Sequence, residues 1–205
     1  MHCVTWGMTQ PSNPSRVAEA RAFLLHSSPW RETSLLLEAY SREHGRVALV
    51  AKGAKRPHSA LRPVLAMFQT LSLSWSGAGE IKTLTRAEWA GTLRMYAGPA
   101  MMSAWYMNEL LLRLLPREDA HQNLFDAYDE ALSSLAAGAR AAGALRRFEW
   151  ILLRETGYGL SGDMPDFEDP TGEPELRRIL RESLERQLEG RPLVTRKVLQ
   201  SLQRT

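Results

Sequence analysis

The apolar residues of this 205-residue chain change their spacing once, near Gly91, and that change limits it to a β part followed by a helical part. Before the change, short apolar runs at 22–25, 35–40, 47–50, 71–75 and 81–89 stand between turn residues and predict five strands, enough for a small barrel. The cleanest is the fourth, where Leu71, Leu73 and Trp75 alternate with Ser72, Ser74 and Ser76. In the fifth, the two-residue period puts Lys82, Leu84, Arg86 and Glu88 on one face, so Lys82 and Arg86 are expected on a common outer surface. After Gly91 the period is about 3.6 residues. Pro99 suits a first helical turn, Pro116 stops that helix, a second helix is expected over 121–137, and a third over 144–156 closes at Gly157. The expected class is α+β, mainly β then mainly α: residues 1–20 a flexible tail, 21–90 a barrel, 91–160 a helical domain, 161–175 an acidic linker and 176–205 a C-terminal helical element.

Net charge is only +3, from 26 basic and 23 acidic residues, but it is unevenly placed: residues 1–90 carry 11 basic and 6 acidic groups. Arg42, Arg46, Lys52, Lys55, Arg56 and Arg62 face one acid, Glu43, and AKGAKRPH (51–58) adds the loop-forming Gly53 and Pro57. A cationic loop suits phosphate, and a solvated surface is the bland alternative. Arginine outnumbers lysine 22 to 4, which favours bidentate phosphate contacts or reflects a GC-rich coding sequence.

Several chemistries are not supported. One cysteine, Cys3, excludes an internal disulfide and a cysteine-cluster zinc site, and fits a reducing compartment. No apolar run approaches the ~18 residues of a membrane span, and the start lacks a signal-peptide pattern, so the expected location is cytoplasmic. Gly157, Gly159 and Gly162 spell a dinucleotide fingerprint in the wrong setting, after a helix and before an acidic, proline-containing stretch. There is no P-loop, and His2, His26, His44, His58 and His121 lack metal or triad spacing. Asp163, Asp166, Glu168 and Asp169 lack calcium-loop spacing and read as solvated acids. No cofactor, metal or catalytic group is expected.

The residues resemble those of the bacterial recombination mediator family RecO. The likeness runs through FLLHSSPWRETSLLLEAYSREHGRVALVAKGAKR (23–56), LSWSGAGEIKTLTRAE (73–88), YMNELLLRLLPRED (106–119), LFDAY (124–128), LRRFEWILLRETGYGL (145–160) and GRPLVTRKVL (190–199). It implies an N-terminal five-stranded OB-fold barrel over 21–90 that binds nucleic acid, followed by an all-helical domain. It also implies a DNA repair protein that binds single- and double-stranded DNA, anneals complementary strands and, with RecR, helps load RecA onto DNA coated by single-stranded-DNA-binding protein, without ATP hydrolysis and at the nucleoid. Two features depart from the family: one cysteine cannot form the zinc site of some relatives, and the interval 160–175 is short.

The DNA-binding candidates are Arg31, Arg42, Arg46, Lys52, Lys55, Arg56, Arg62, Lys82 and Arg86, with Lys52, Lys55 and Arg56 foremost because motif and charge cluster coincide. Trp30, beside Pro29, is a candidate base-stacking platform, whereas Trp75 on an alternating strand is expected in the core. The resemblance further implies that the helical domain engages the acidic, phenylalanine-ending tail of single-stranded-DNA-binding protein; Arg146 and Arg147 with Leu145 are the candidates, offering guanidinium beside apolar surface. The alternatives are a metal-dependent nucleic-acid-processing enzyme using the acidic stretch and an RNA-binding OB-fold protein.

Overall fold

The computed structural model describes residues 16–138, 141–158, 163–189 and 191–195. Of the expected tail over 1–20, residues 1–15, with His2 and Cys3, lie outside the described residues, as do Gly159, Leu160, Gly162 and 196–205.

Five strands form a closed barrel in the order β1-β2-β3-β5-β4: β1 (Arg16–Trp30), β2 (Ser34–Ser41), β3 (Gly45–Ala51), β4 (Thr70–Ser76) and β5 (Ile81–Trp89). Only β3 and β5 run parallel; the other pairs are antiparallel, the arrangement of an OB-fold. Strand β1 starts at Arg16, ahead of the expected Arg21, and closes the barrel by itself: its first half pairs with β4 and its second half with β2. Register shifts at Val17/Ala20 and Leu24/His26 bend it enough to serve both neighbours.

Alternation along β1 explains why Ala22, Phe23, Leu24 and Leu25 are all buried. Ala22 and Leu24 point into the barrel with Leu37, Ala39, Leu49, Leu71, Leu73, Trp75 and Leu84. Phe23 and Leu25, with Tyr40 of β2, point out into a second core shared with the helices. Only 22–25 is covered on both faces and reads as a continuous apolar run; the ends of β1, 16–19 and 26–30, are exposed or half-buried and carry no apolar period, which hid its length from the pattern.

The helices are α1 (Gly98–Leu114), α2 (Gln122–Ala136), α3 (Ala141–Glu155) and α4 (Glu173–Gln187). Pro99 lies in the first turn of α1, and Leu115, before Pro116, is its extended C-cap. Gly157 ends the third helix in the left-handed region (φ 81°), with the Tyr158 N–H donating to the Leu153 carbonyl at 2.8 Å. Within the expected acidic linker, Asp166 and Asp169 accept backbone N–H groups of Glu168, Thr171 and Gly172, and Phe167 packs on the helical core.

Two polar groups on α1 tie distant parts together. The buried Asn108 amide donates to the Leu25 carbonyl at 2.9 Å and accepts from the Tyr128 hydroxyl at 2.5 Å, joining β1, α1 and α2. The Glu109 carboxylate accepts the N–H groups of Val194 and Thr195 at 2.8 and 3.0 Å and stands 2.6 Å from Arg113. Burial pushes the Glu109 carboxyl up, but the Thr195 and Val194 bonds and Arg113 outweigh it and hold it below the usual glutamate range.

Replacing Asn108 with Ala strands a buried carbonyl and a buried hydroxyl, so the urea midpoint should report a loss of about 2–4 kcal/mol. Glu109 is depressed in the folded chain, so its contribution is present above the unfolded glutamate pKa (~4.3) and fades as pH falls through the folded value. The Val194 and Thr195 amide resonances should therefore shift together on acidification below about pH 4, and in Glu109→Gln that titration should disappear.

Candidate nucleic-acid interface

The last pair of the β1–β2 ladder is Trp30 with Ser34, and the tight connection between them places Arg31 at positive φ (53°). Strand β3 ends beside this hairpin and runs into a loop in which Gly53 takes φ 71° and the Arg56 N–H donates to the Gly53 carbonyl at 3.0 Å. A methyl group on Gly53 would lie 3.6 Å from Arg56 Cδ, so the arginine stem lies over bare backbone. Ala54 is buried in the barrel core, and the Lys55 N–H donates to the Thr33 carbonyl at 2.9 Å, joining loop to hairpin. Between them opens a cleft of about 540 Å³ lined by Trp30, Arg31, Glu32 and Thr33 from one wall and Lys52, Gly53 and Arg56 from the other.

The nine sequence candidates divide into two groups. Arg31, Lys52, Lys55, Arg56 and Arg62 are exposed and form no ion pair among the described residues; three of them line the cleft. The other four are engaged. Arg42 grips Asp126 through two bonds of 2.9 and 2.8 Å and reaches Gln122, which holds the Asp126 carboxyl below its usual range. Arg46 meets Glu38 at 3.2 Å and the Leu115 carbonyl at 3.2 Å, largely buried. Lys82 is 8% exposed and pairs with Glu118. Arg86 lies on the open surface, 2.8 Å from Glu88 and 3.9 Å from Glu19.

The common outer surface expected for Lys82 and Arg86 does not form. Trp75 pairs with Leu84 but Ser74 pairs with Arg86, so Thr85 is an extra residue and the alternation inverts there. Lys82 and Leu84 turn inward and Arg86 outward. Trp75, as expected, is core, 1% exposed and edge-on to His44 at 5.3 Å.

In the helical domain, Leu145 is half-buried and Arg146 is 8% exposed. Arg146 Nη2 donates to Glu149 Oε1 at 3.2 Å, and the Tyr106 hydroxyl donates to the same oxygen at 2.7 Å. Arg146 therefore neutralises an internal carboxylate rather than facing solvent. Arg147 is partly exposed and pairs with Glu130. The i, i+1 neighbours of a helix face different directions, so LRRFE turns Arg146 inward to Glu149 and leaves Arg147 on the surface beside Glu130.

Sequence reasoning did not find the electrostatic seam between barrel and helices. Asp129, one turn beyond Asp126 on α2, receives Arg21 of β1 at 2.5 Å and Arg94 of the β5–α1 connector at 2.6 Å. The spacing of Asp126 and Asp129 marks one helix face, but nothing local tells which arginines meet it. His121 also belongs to this seam, 2.8 Å from Glu155, while its carbonyl accepts the Tyr40 hydroxyl. Among the described residues no group of three His, Cys, Asp or Glu could hold a metal ion, and no helix is long and apolar enough to cross a membrane.

A family profile described as Recombination protein O N terminal matches residues 16–93, and one described as Recombination protein O C terminal matches 95–164. The DNA repair protein RecO of Cupriavidus pinatubonensis is 57% identical over 149 residues, 73% of this chain and 51% of that protein. Its counterpart from Aromatoleum aromaticum is 58% identical over 153 residues, 75% and 64% of the two lengths. The Ralstonia nicotianae protein of the same name is 57% identical over 148 residues, 72% and 54%. The chain thus spans between 51% and 64% of these relatives.

The two groups of cations should separate by experiment. Arg42→Ala and Lys82→Ala should lower the melting temperature, by roughly 2–4 °C for Lys82, and leave the salt dependence of single-strand binding unchanged. Lys52→Ala and Arg56→Ala should leave the melting temperature in place and each reduce that dependence.

Proposed function

This chain belongs to the RecO family of DNA repair proteins, and from that premise we propose that it is a DNA-binding mediator of recombinational repair that brings complementary strands together without breaking or making covalent bonds. The observation that carries the reading is the cleft at the barrel tip. Arg31, Lys52 and Arg56 gather there without carboxylate partners among the described residues, while Arg42, Arg46 and Lys82 are each held by a carboxylate.

Annealing requires two polyanions to approach. Fixed cations replace their counterions, and contacts limited to phosphates leave base edges free to pair. Exposed side chains without ion-pair partners suit this task; cations already held by carboxylates would first have to surrender those partners. The proposed work includes loading RecA with RecR onto DNA coated by single-stranded-DNA-binding protein, at the nucleoid. The helical domain is the proposed docking site for that protein's acidic tail, with Arg147, not the internal Arg146, as the guanidinium within reach.

The deciding experiment is annealing of complementary strands precoated with single-stranded-DNA-binding protein, with no nucleotide present. Acceleration by this chain is expected. Five free cations at ~0.7 ion each predict a log–log salt slope of about −3.5 for single-strand affinity, and the Lys52, Lys55 and Arg56 triple alanine variant should bring it to about −1.4. Affinity that ignores salt, or wild-type binding by the triple variant, would contradict the proposal.

A further inference from the structure

Beyond the cations, the cleft holds a feature that phosphate binding does not use. Trp30, a bulky indole at the end of β1, is part of its wall and stays 37% exposed. We propose that this cleft holds one unpaired nucleotide, its base stacked on Trp30 and its phosphate met from the opposite wall by Lys52 and Arg56, so that the barrel tip prefers single strands to duplex. The proposal deepens the DNA-binding reading and rests on it.

The walls assign the two halves of the ligand. The hairpin wall carries the indole together with Glu32, whose carboxylate repels phosphate; the loop wall carries Lys52, Gly53 and Arg56, two cations and a backbone stretch without a side chain. A nucleotide has the same polarity, with a flat π-face at one end and an anion at the other. Arg31 stands at the hairpin tip, placed to meet the next phosphate along the strand. The Lys55 to Thr33 backbone bond ties the two walls together, and the ladder pairing of Trp30 with Ser34 fixes the backbone that carries the indole. A cleft of about 540 Å³ is within the usual range for a small-ligand pocket. In a duplex every base face is covered by its neighbours and the indole finds nothing to stack on, whereas a flexible single strand can splay one base out.

The test compares three oligonucleotides of equal length by fluorescence anisotropy: oligo-dT, the same backbone with abasic sites, and a duplex. Trp30→Ala should weaken oligo-dT binding roughly 5- to 100-fold and change binding of the abasic strand and duplex little, since only the first offers a base to stack on. Trp30→Phe, which keeps a π-face, should retain most of the affinity. If Trp30→Ala leaves oligo-dT unaffected, or weakens all three ligands alike, the stacking proposal is wrong. The Lys52→Ala, Arg56→Ala double variant should weaken all three. Wild-type binding of all three by that double variant would overturn the broader DNA-binding reading, and with it this proposal.

Discussion

Four aromatic rings hold the molecule together. Phe23 of β1 lies 5.2 Å from Phe125 and 5.1 Å from Tyr128 of α2, and Tyr40 of β2 lies 5.4 Å from Phe125. They fuse the outer face of the barrel to the second helix in one core, so neither part keeps its apolar surface covered without the other. Tilted and edge-on pairs of this kind add ~0.5–1.5 kcal/mol each beyond the area they bury. In the Arg21–Asp129 and Arg42–Asp126 pairs one partner is about half exposed, Arg21 at 48% and Asp126 at 50%, a setting in which charges contribute little net stability, while Arg94–Asp129 is more enclosed. The rings supply adhesion, and the arginines fix register and orientation.

That seam also decides which cations are left for another task. It draws in Arg21, Arg42 and Arg94, and the segment after α1 takes Arg46 and Lys82 through Leu115 and Glu118. Gly45 permits this second contact: a Cβ there would sit 2.1 Å from the Asp119 carbonyl oxygen, so only a bare Cα lets the segment approach β3. The hairpin tip and the loop after β3 lie beyond both contacts. Their cations form no ion pair among the described residues, which leaves them available to a polyanion.

Reading along the chain found the strands because burial on one face imposes a period of two, and it found helix ends at Pro99, Pro116 and Gly157 because those residues restrict the backbone wherever they occur. It failed where a local rule was broken by a distant neighbour. The bulge at Thr85 exists only in the pairing of β4 with β5, and it sent Lys82 and Arg86 to opposite faces. The inward position of Arg146 follows from Glu149 and Tyr106, the latter on another helix.

The sequence by itself determined the β-then-α order, the barrel, the loop-borne charge of AKGAKR and a resemblance specific enough to name a family, because periodicity, backbone-restricting residues and motif identity are local properties. Which of the nine cations are free was decided only in three dimensions. Arg42 and Asp126 are separated by 84 positions and Lys82 and Glu118 by 36, and no short-range pattern records who neutralises whom. Charge is written residue by residue, but its availability depends on the partners that folding brings within reach.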